Sequence, residues 1–405
     1  MPKAFSIVLS LIVAFWPTTG SAFLDFLFKK KSEESSMLGS KELPDVPAIH
    51  VNGFTGGTGE SVTRFVREEV LASNEFLLAS QVDQAAFRLE GSSVGGRVVG
   101  KLLDAEGKTL FSRTYAAPGI RENVLALVDD VIFAATGKPG LALSRIVFVS
   151  DVDGTKQVYL CGPNGGEVQK VTSQKHGAVS PSLSRDVSMV AYTTYRSGYP
   201  VVEVMDLHSG WKRTVTDTPG SSFGASFAPD EPRLAVVMSF LGNPEVFVTD
   251  LNSNTAGCLS DTVGVPSSPV WHPDGKQIMF SCDEGGGSEL FVVELPEGED
   301  GSSKLFRWRS GQRFSTDPSW SPSGDKVAFT AVSSRGSSSV IVKPYPEGRS
   351  KVVASGGAQH PSWSPNGRFL VYAKRGDLVV YDLRSHQSKT ILTDYGTISE
   401  PRWMK

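Results

Sequence analysis

Cysteine is scarce: three residues, Cys161, Cys258 and Cys282, in a chain of 405. Three thiols cannot knit a disulfide framework, and their spacing matches no zinc site. An odd number leaves at least one unpaired. We expect all three to be small buried apolar residues, with a Cys258–Cys282 bridge as the alternative. An excess of charge is also missing, with 40 Lys and Arg against 43 Asp and Glu. No basic stripe with interleaved aromatics appears, which argues against a nucleic-acid partner. Long apolar runs are confined to the N-terminus. Lys3, the run Ala4 to Trp16 and the small residues Gly20-Ser-Ala22 read as a secretory leader, residues 1–22, cleaved after about Ala22. Pro17-Thr-Thr-Gly20 and Asp25 break the run short of the ~20 apolar residues a membrane span needs. No membrane span is therefore expected after cleavage. No cysteine follows the cleavage site, so the leader is not a lipoprotein signal.

Glycine and proline, by contrast, are plentiful, at 41 and 24 residues. They fall in a phrase that keeps returning. Its clearest copy is Pro318-Ser-Trp320-Ser-Pro322-Ser-Gly324, with close copies at Pro269-Val-Trp271-His-Pro273-Asp-Gly275 and Pro361-Ser-Trp363-Ser-Pro365-Asn-Gly367. Weaker copies centre on Leu183 and Phe227, and a truncated one, Pro401-Arg-Trp403, ends the sequence. The anchors at 183, 227, 271, 320, 363 and 403 lie 44, 44, 49, 43 and 40 residues apart. That period, with alternating segments such as Lys326 to Thr330, marks propeller blades of four strands. Pro presets φ and Gly accepts φ > 0, so each phrase ends in a tight turn. The large anchor is expected between blades, worth about 1.5–3 kcal/mol when buried.

The ends of the array set the blade count. The first unit, from Arg145 to Thr172, lacks a leading Pro-x-Trp strand, and the last phrase lacks following strands. We expect six blades over residues 141–405, with a strand at about 397–404 completing the first. Ahead of them, residues 48–136 read as a small α/β domain of α+β type. Glu60 to Ala72 and Glu122 to Ala135 are amphipathic, and Phe87 to Ser92, Arg97 to Leu103 and Thr109 to Tyr115 alternate. Residues 23–47 read as a flexible tether. The expected class is mainly β: a six-bladed β-propeller preceded by a small α/β domain.

Two short motifs carry chemistry elsewhere. Asp151-Val-Asp153-Gly154-Thr155 after an apolar strand mimics a phosphatase nucleophile motif, but Gln157 to Leu160 reads as a strand where that chemistry needs a βα unit. It is expected to be a hairpin. Gly91-Ser-Ser93-Val-Gly95 fits a nucleophile-elbow pattern, but strand-like Arg97-Val-Val99 follows instead of a helix. It is expected to be a loop. Gly56-Gly57-Thr58-Gly59 reads as a helix-entry turn. His272, His360, Asp317 and Glu400 lie on or beside innermost strands and are expected to line the central channel, for a protein partner rather than an ion. No catalytic residue, metal site or cofactor is expected.

A leader, a small α/β domain, Ala126 to Phe133 running through Thr136-Gly137 into Arg145 to Val149, and repeated Pro-x-Trp-Ser-Pro-x-Gly blades resemble the TolB family. The resemblance implies a non-enzymatic periplasmic adaptor of the Tol-Pal envelope complex. It implies a propeller that binds the peptidoglycan-associated lipoprotein Pal, supporting outer-membrane integrity and constriction at division. It also implies an N-terminal contact with the inner-membrane protein TolA, although residues 23–47 depart from the family's motif. By position, partner contacts would fall on Ser221, Phe223, Gly224, Ser267, Ser268, Asp317, His360 and Glu400. The alternatives are a propeller hydrolase or lyase using channel carboxylates, and a carbohydrate- or peptide-binding propeller.

Overall fold

The computed structural model describes residues 46–404, except 197, 216–219, 230, 231, 241, 285 and 297–301. The leader and nearly all of the tether lie outside the described residues. No helix among the described residues is long and apolar enough to cross a membrane.

The N-terminal domain begins with strand β1 (Ala48–Val51), helix α1 (Gly59–Ala72) and the short β2 (Leu77–Leu78). Strands β3 (Phe87–Val94), β4 (Arg97–Asp104) and β5 (Thr109–Tyr115) and helix α2 (Ile120–Thr136) complete it. The sheet order is β2-β1-β3-β4-β5, with β1 parallel to both neighbours and the rest antiparallel. Val62, Val66 and Val70 of α1 and Val124, Leu127, Val128 and Val131 of α2 form its core with Ile49, Leu89, Val98 and Leu102. Gly100 lets α2 approach, since a Cβ there would sit 2.3 Å from a Leu127 methyl. The Gly91 motif corrects the expectation of a loop: Gly91 to Val94 belong to β3, and a Gly95-Gly96 turn leads into β4. A Cβ on Gly91 would lie 2.5 Å from the Phe54 ring, so packing explains the glycine.

Six four-stranded antiparallel sheets follow. Blades 2 to 6 are each one stretch of chain, with inner strands Ala178–Leu183, Ser222–Phe227, Pro266–Trp271, Ser315–Trp320 and Ala358–Trp363. Blade 1 is stitched from both ends of the array. Its inner strand, Ser399–Met404, pairs antiparallel with Arg145–Ser150, Trp403 opposite Ile146. Asp151, from the phosphatase-like motif, clasps this joint by accepting the Thr397 N–H at 2.6 Å. Asp153 accepts from the Tyr159 hydroxyl at 2.8 Å. The motif is the expected hairpin, with both carboxylates engaged in holding it.

The anchors Leu183, Phe227, Trp271, Trp320, Trp363 and Trp403 are all buried. The serine before an anchor laces three of the six seams between blades. Ser182 accepts the Phe227 N–H at 3.2 Å, Ser319 that of Trp363 at 3.3 Å, and Ser362 that of Trp403 at 3.0 Å. The phrase thus encodes both the wedge between blades and the hydrogen bond across the seam. Its turn glycines are left-handed, and Gly324 at φ +73° also leaves room for the His272 ring. All three cysteines are free. Cys161 and Cys282 are buried, and burial pushes the Cys161 thiol up to about 12, away from nucleophilic chemistry. Cys258 departs from expectation: it lies on the outermost strand of blade 3, where the sheet meets solvent, and is exposed.

Candidate functional site: the channel and its open face

The inner strands surround the axis, each packed against its neighbours. Every one carries an irregularity in its pairing at the same place. The residue there has positive φ in all six: Ser180 at +52°, Gly224 at +62°, Ser268 at +51°, Asp317 at +51°, His360 at +54° and Glu400 at +52°. Only one of the six is glycine. For the others this backbone costs about 1–2 kcal/mol each. The cost recurs because the bulge is part of the blade's geometry. All six line one cavity of about 610 Å³ on the axis.

The ring is polar and connected. Glu400 Oε2 accepts the Ser180 N–H at 2.5 Å, tying blade 1 to blade 2. Asp317 accepts from Thr316 Oγ1 at 2.9 Å and Ser268 Oγ at 3.3 Å. His360 Nε2 stands 3.8 Å from Asp317 Oδ2, and its Nδ1 is buried without a partner. Two residues beyond Glu400 on the Ser399–Met404 strand, Arg402 also lines the cavity. Burial lowers the pKa of its guanidinium, against the favourable pull of Asp317 and Glu400.

Five of the expected site residues come together here: Gly224, Ser268, Asp317, His360 and Glu400. Ser221, Phe223 and Ser267 do not line this cavity. Ser221 donates its N–H to Ser239 Oγ at 3.0 Å, and Ser267 pairs with Ser281 Oγ at 2.9 Å. Phe223 is half-buried in its strand. His272 corrects the channel expectation. Its ring packs edge-on against Trp320, 4.6 Å between centroids, with Nδ1 2.7 Å from Asp274. One step past the strand, its side chain folds into the seam. Sequence reasoning missed Ser180 and Arg402. The signal was available: Ser180 precedes a proline as Asp317 and His360 do, and Arg402 stands where Ser319 and Ser362 stand in their phrases.

The two faces of the propeller differ. Phrase turns such as 364–368 lie on the face that meets the N-terminal domain. There Arg368 bridges Glu75 at 2.6 Å and Asp382 at 2.8 Å. Asp129 of α2 accepts the Ala142 N–H at 2.7 Å, fixing the joint between helix and propeller. The loops at the other ends of the strands form the second face. It exposes Val152, Tyr195, Tyr199, Phe240, Val263 and Val265, with Val263 93% and Tyr199 62% accessible. These apolar side chains belong to loops and strand ends of blades 1 to 3 and the connection into blade 4. Among the described residues, no group of three or more His, Cys, Asp or Glu is placed to hold a metal ion.

Residues 134–405, more than half of the chain, match the family model described as the TolB beta propeller domain. The chain belongs to the TolB propeller family. Members of the family similar to it include a TolB homolog of Chlorobium chlorochromatii, 33% identical over 136 residues, 32% of this chain and 31% of that protein. The Tol-Pal system protein TolB of Desulfosudis oleivorans is 33% identical over 109 residues, 27% of this chain and 25% of that one. The matched region thus spans roughly a quarter to a third of these relatives' length. The crystal structure of TolB from Acinetobacter baumannii shares the fold, with a TM-score of 0.73 at 23% identity, covering 89% of this chain and 96% of that one.

Proposed function

We propose that this chain is a non-enzymatic periplasmic adaptor of a Tol-Pal envelope complex. It is exported, its leader is removed after about Ala22, and it docks a Pal-like peptidoglycan-associated lipoprotein. Through that contact it supports outer-membrane integrity and constriction at division. Residues 23–47 are the segment that would reach a TolA-like inner-membrane protein.

One observation carries the docking site. The propeller face away from the N-terminal domain exposes apolar side chains, the opposite face being partly covered by that domain. Exposed apolar clusters rimmed by polar groups are what protein partners bury. Tyr199 is the side chain best suited to anchor, having large area and few rotors. Asp317, His360 and Glu400 lie within the ring and supply the polar contacts.

The test is a titration of the full chain with a purified lipoprotein bearing an OmpA-like domain. The double variant Tyr199→Ser, Val263→Ser is expected to weaken binding at least tenfold with an unchanged melting midpoint. A pull-down from detergent-solubilised membranes that enriches no OmpA-like lipoprotein would sink the proposal, as would equal affinity in the double variant.

A further inference from the structure

Arg402 is the odd residue in an otherwise repetitive layer. The equivalent positions in the other five blades hold Ser182, Ser226, Val270, Ser319 and Ser362. Three of those serines bond the next blade. Among the described residues Arg402 makes no such bond, and its Nη1 is buried without a partner. Among the described residues, no carboxylate lies within ion-pair distance of it. A guanidinium nitrogen buried without a partner is costly. The fold tolerates that cost inside an open cavity of about 610 Å³.

The next layer along the axis has the opposite sign. Asp317 and Glu400 stand there beside His360, whose Nδ1 is likewise unpartnered. Glu400 and Arg402 are two residues apart on one strand, with the left-handed bulge between them. A simple anion entering this channel would meet two carboxylates. A simple cation would leave Arg402 unpaired. A neutral solute would pair neither layer.

We propose that the channel binds a small zwitterion, an amino acid or a short peptide, with its carboxylate on Arg402 and its ammonium group on Asp317 and Glu400. The ligand completes the charge pairing that the inner strands leave open. This site lies inside the ring. It shares Asp317 and Glu400 with the lipoprotein contact proposed above, and the probes below test it without that partner.

Calorimetric titration of the full chain tests the assignment, with glycine and diglycine as probes. Glycinamide lacks the carboxylate, and N-acetylglycine lacks the ammonium group. Saturable one-to-one binding of glycine or diglycine is expected, with both blocked compounds at least tenfold weaker. The tighter of the two zwitterions gives the ligand's length. Arg402→Gln should weaken zwitterion binding at least tenfold and leave glycinamide unaffected. Glu400→Gln and Asp317→Asn should erase the preference over N-acetylglycine. Should Arg402→Gln fail to fold by its melting curve, the Asp317→Asn comparison decides alone. A channel holding only water would show no saturable heat with either zwitterion, and that result overturns the proposal. So does a zwitterion bound no better than its blocked forms, or bound equally by a folded Arg402→Gln variant.

Discussion

Two positions three residues apart on each inner strand obey different rules. The anchor position is apolar, bulky and buried in every blade: Leu183, Phe227, Trp271, Trp320, Trp363, Trp403. The left-handed position holds Ser180, Gly224, Ser268, Asp317, His360 and Glu400, with no common chemistry. One backbone repeats six times, but only the anchor has to repeat its side chain. The anchor's environment is the neighbouring blade, which is itself a repeat. The left-handed residue faces the axis, where nothing repeats. Recognition can therefore diverge around the channel while the ring stays closed.

The largest expected effect removes both kinds of position at once. Deleting residues 397–405 takes away Trp403, Glu400 and the strand opposite Arg145–Ser150. Blade 1 then exposes an unpaired edge. Loss of the cooperative thermal transition is expected, and a near-wild-type melting curve would break the closed-ring account. Next comes the anchor alone. Trp320→Ala should cost about 3–5 kcal/mol, as for other buried aromatics, measured by denaturant unfolding. A midpoint equal to wild type would mean the anchors do not hold the seams.

A smaller effect sharpens the other side. Asp317→Val places a β-branched residue at φ +51°. The strain should cost about 1–3 kcal/mol, while Asp317→Asn stays near wild type because Asn tolerates this conformation. Equal midpoints for the two variants would show that the bulge relaxes. The smallest effect lies in a phrase turn. Hydrogen bonds from Ser323, Lys326 and Ser321 hold the Asp325 carboxyl down at about 2, from an ordinary 3.8. A depressed folded pKa gives stability that is present above the unfolded value and lost as pH falls toward about 2. Asp325→Asn should therefore flatten the melting midpoint's acid dependence between about pH 4 and 2, modestly, because the site is exposed.

The blades were legible because their causes are local. A Pro-x-Trp-x-Pro-x-Gly phrase sets a strand, a wedge and a turn within seven residues, and its spacing gives the period. Even the closure could be read, since the first unit lacks what the last phrase supplies. The candidate site was only half legible. Positive φ at the ring position follows from how six strands converge, so Ser, Asp, His and Glu share it and no residue type announces it. His272 looked equivalent to His360 because both neighbour the phrase. A side chain one step beyond the strand turns into the seam, and that is a matter of tertiary packing. Cys258 was misjudged for a similar reason: composition suggests burial, but the fourth strand of a blade meets water. The exposed residues of the open face sit on loops and strand ends without repeat or period, so nothing in the sequence marks them as one surface.

The most direct measurement compares His360→Gly with Trp363→Ala by equilibrium denaturation. Both lie on the strand Ala358–Trp363. Glycine suits φ +54° and offsets the added freedom it gives the unfolded chain, so His360→Gly should fall within about 1 kcal/mol of wild type. Trp363→Ala should lose about 3–5 kcal/mol. A His360→Gly loss as large as that of Trp363→Ala would contradict the division between a fixed anchor layer and a variable ring.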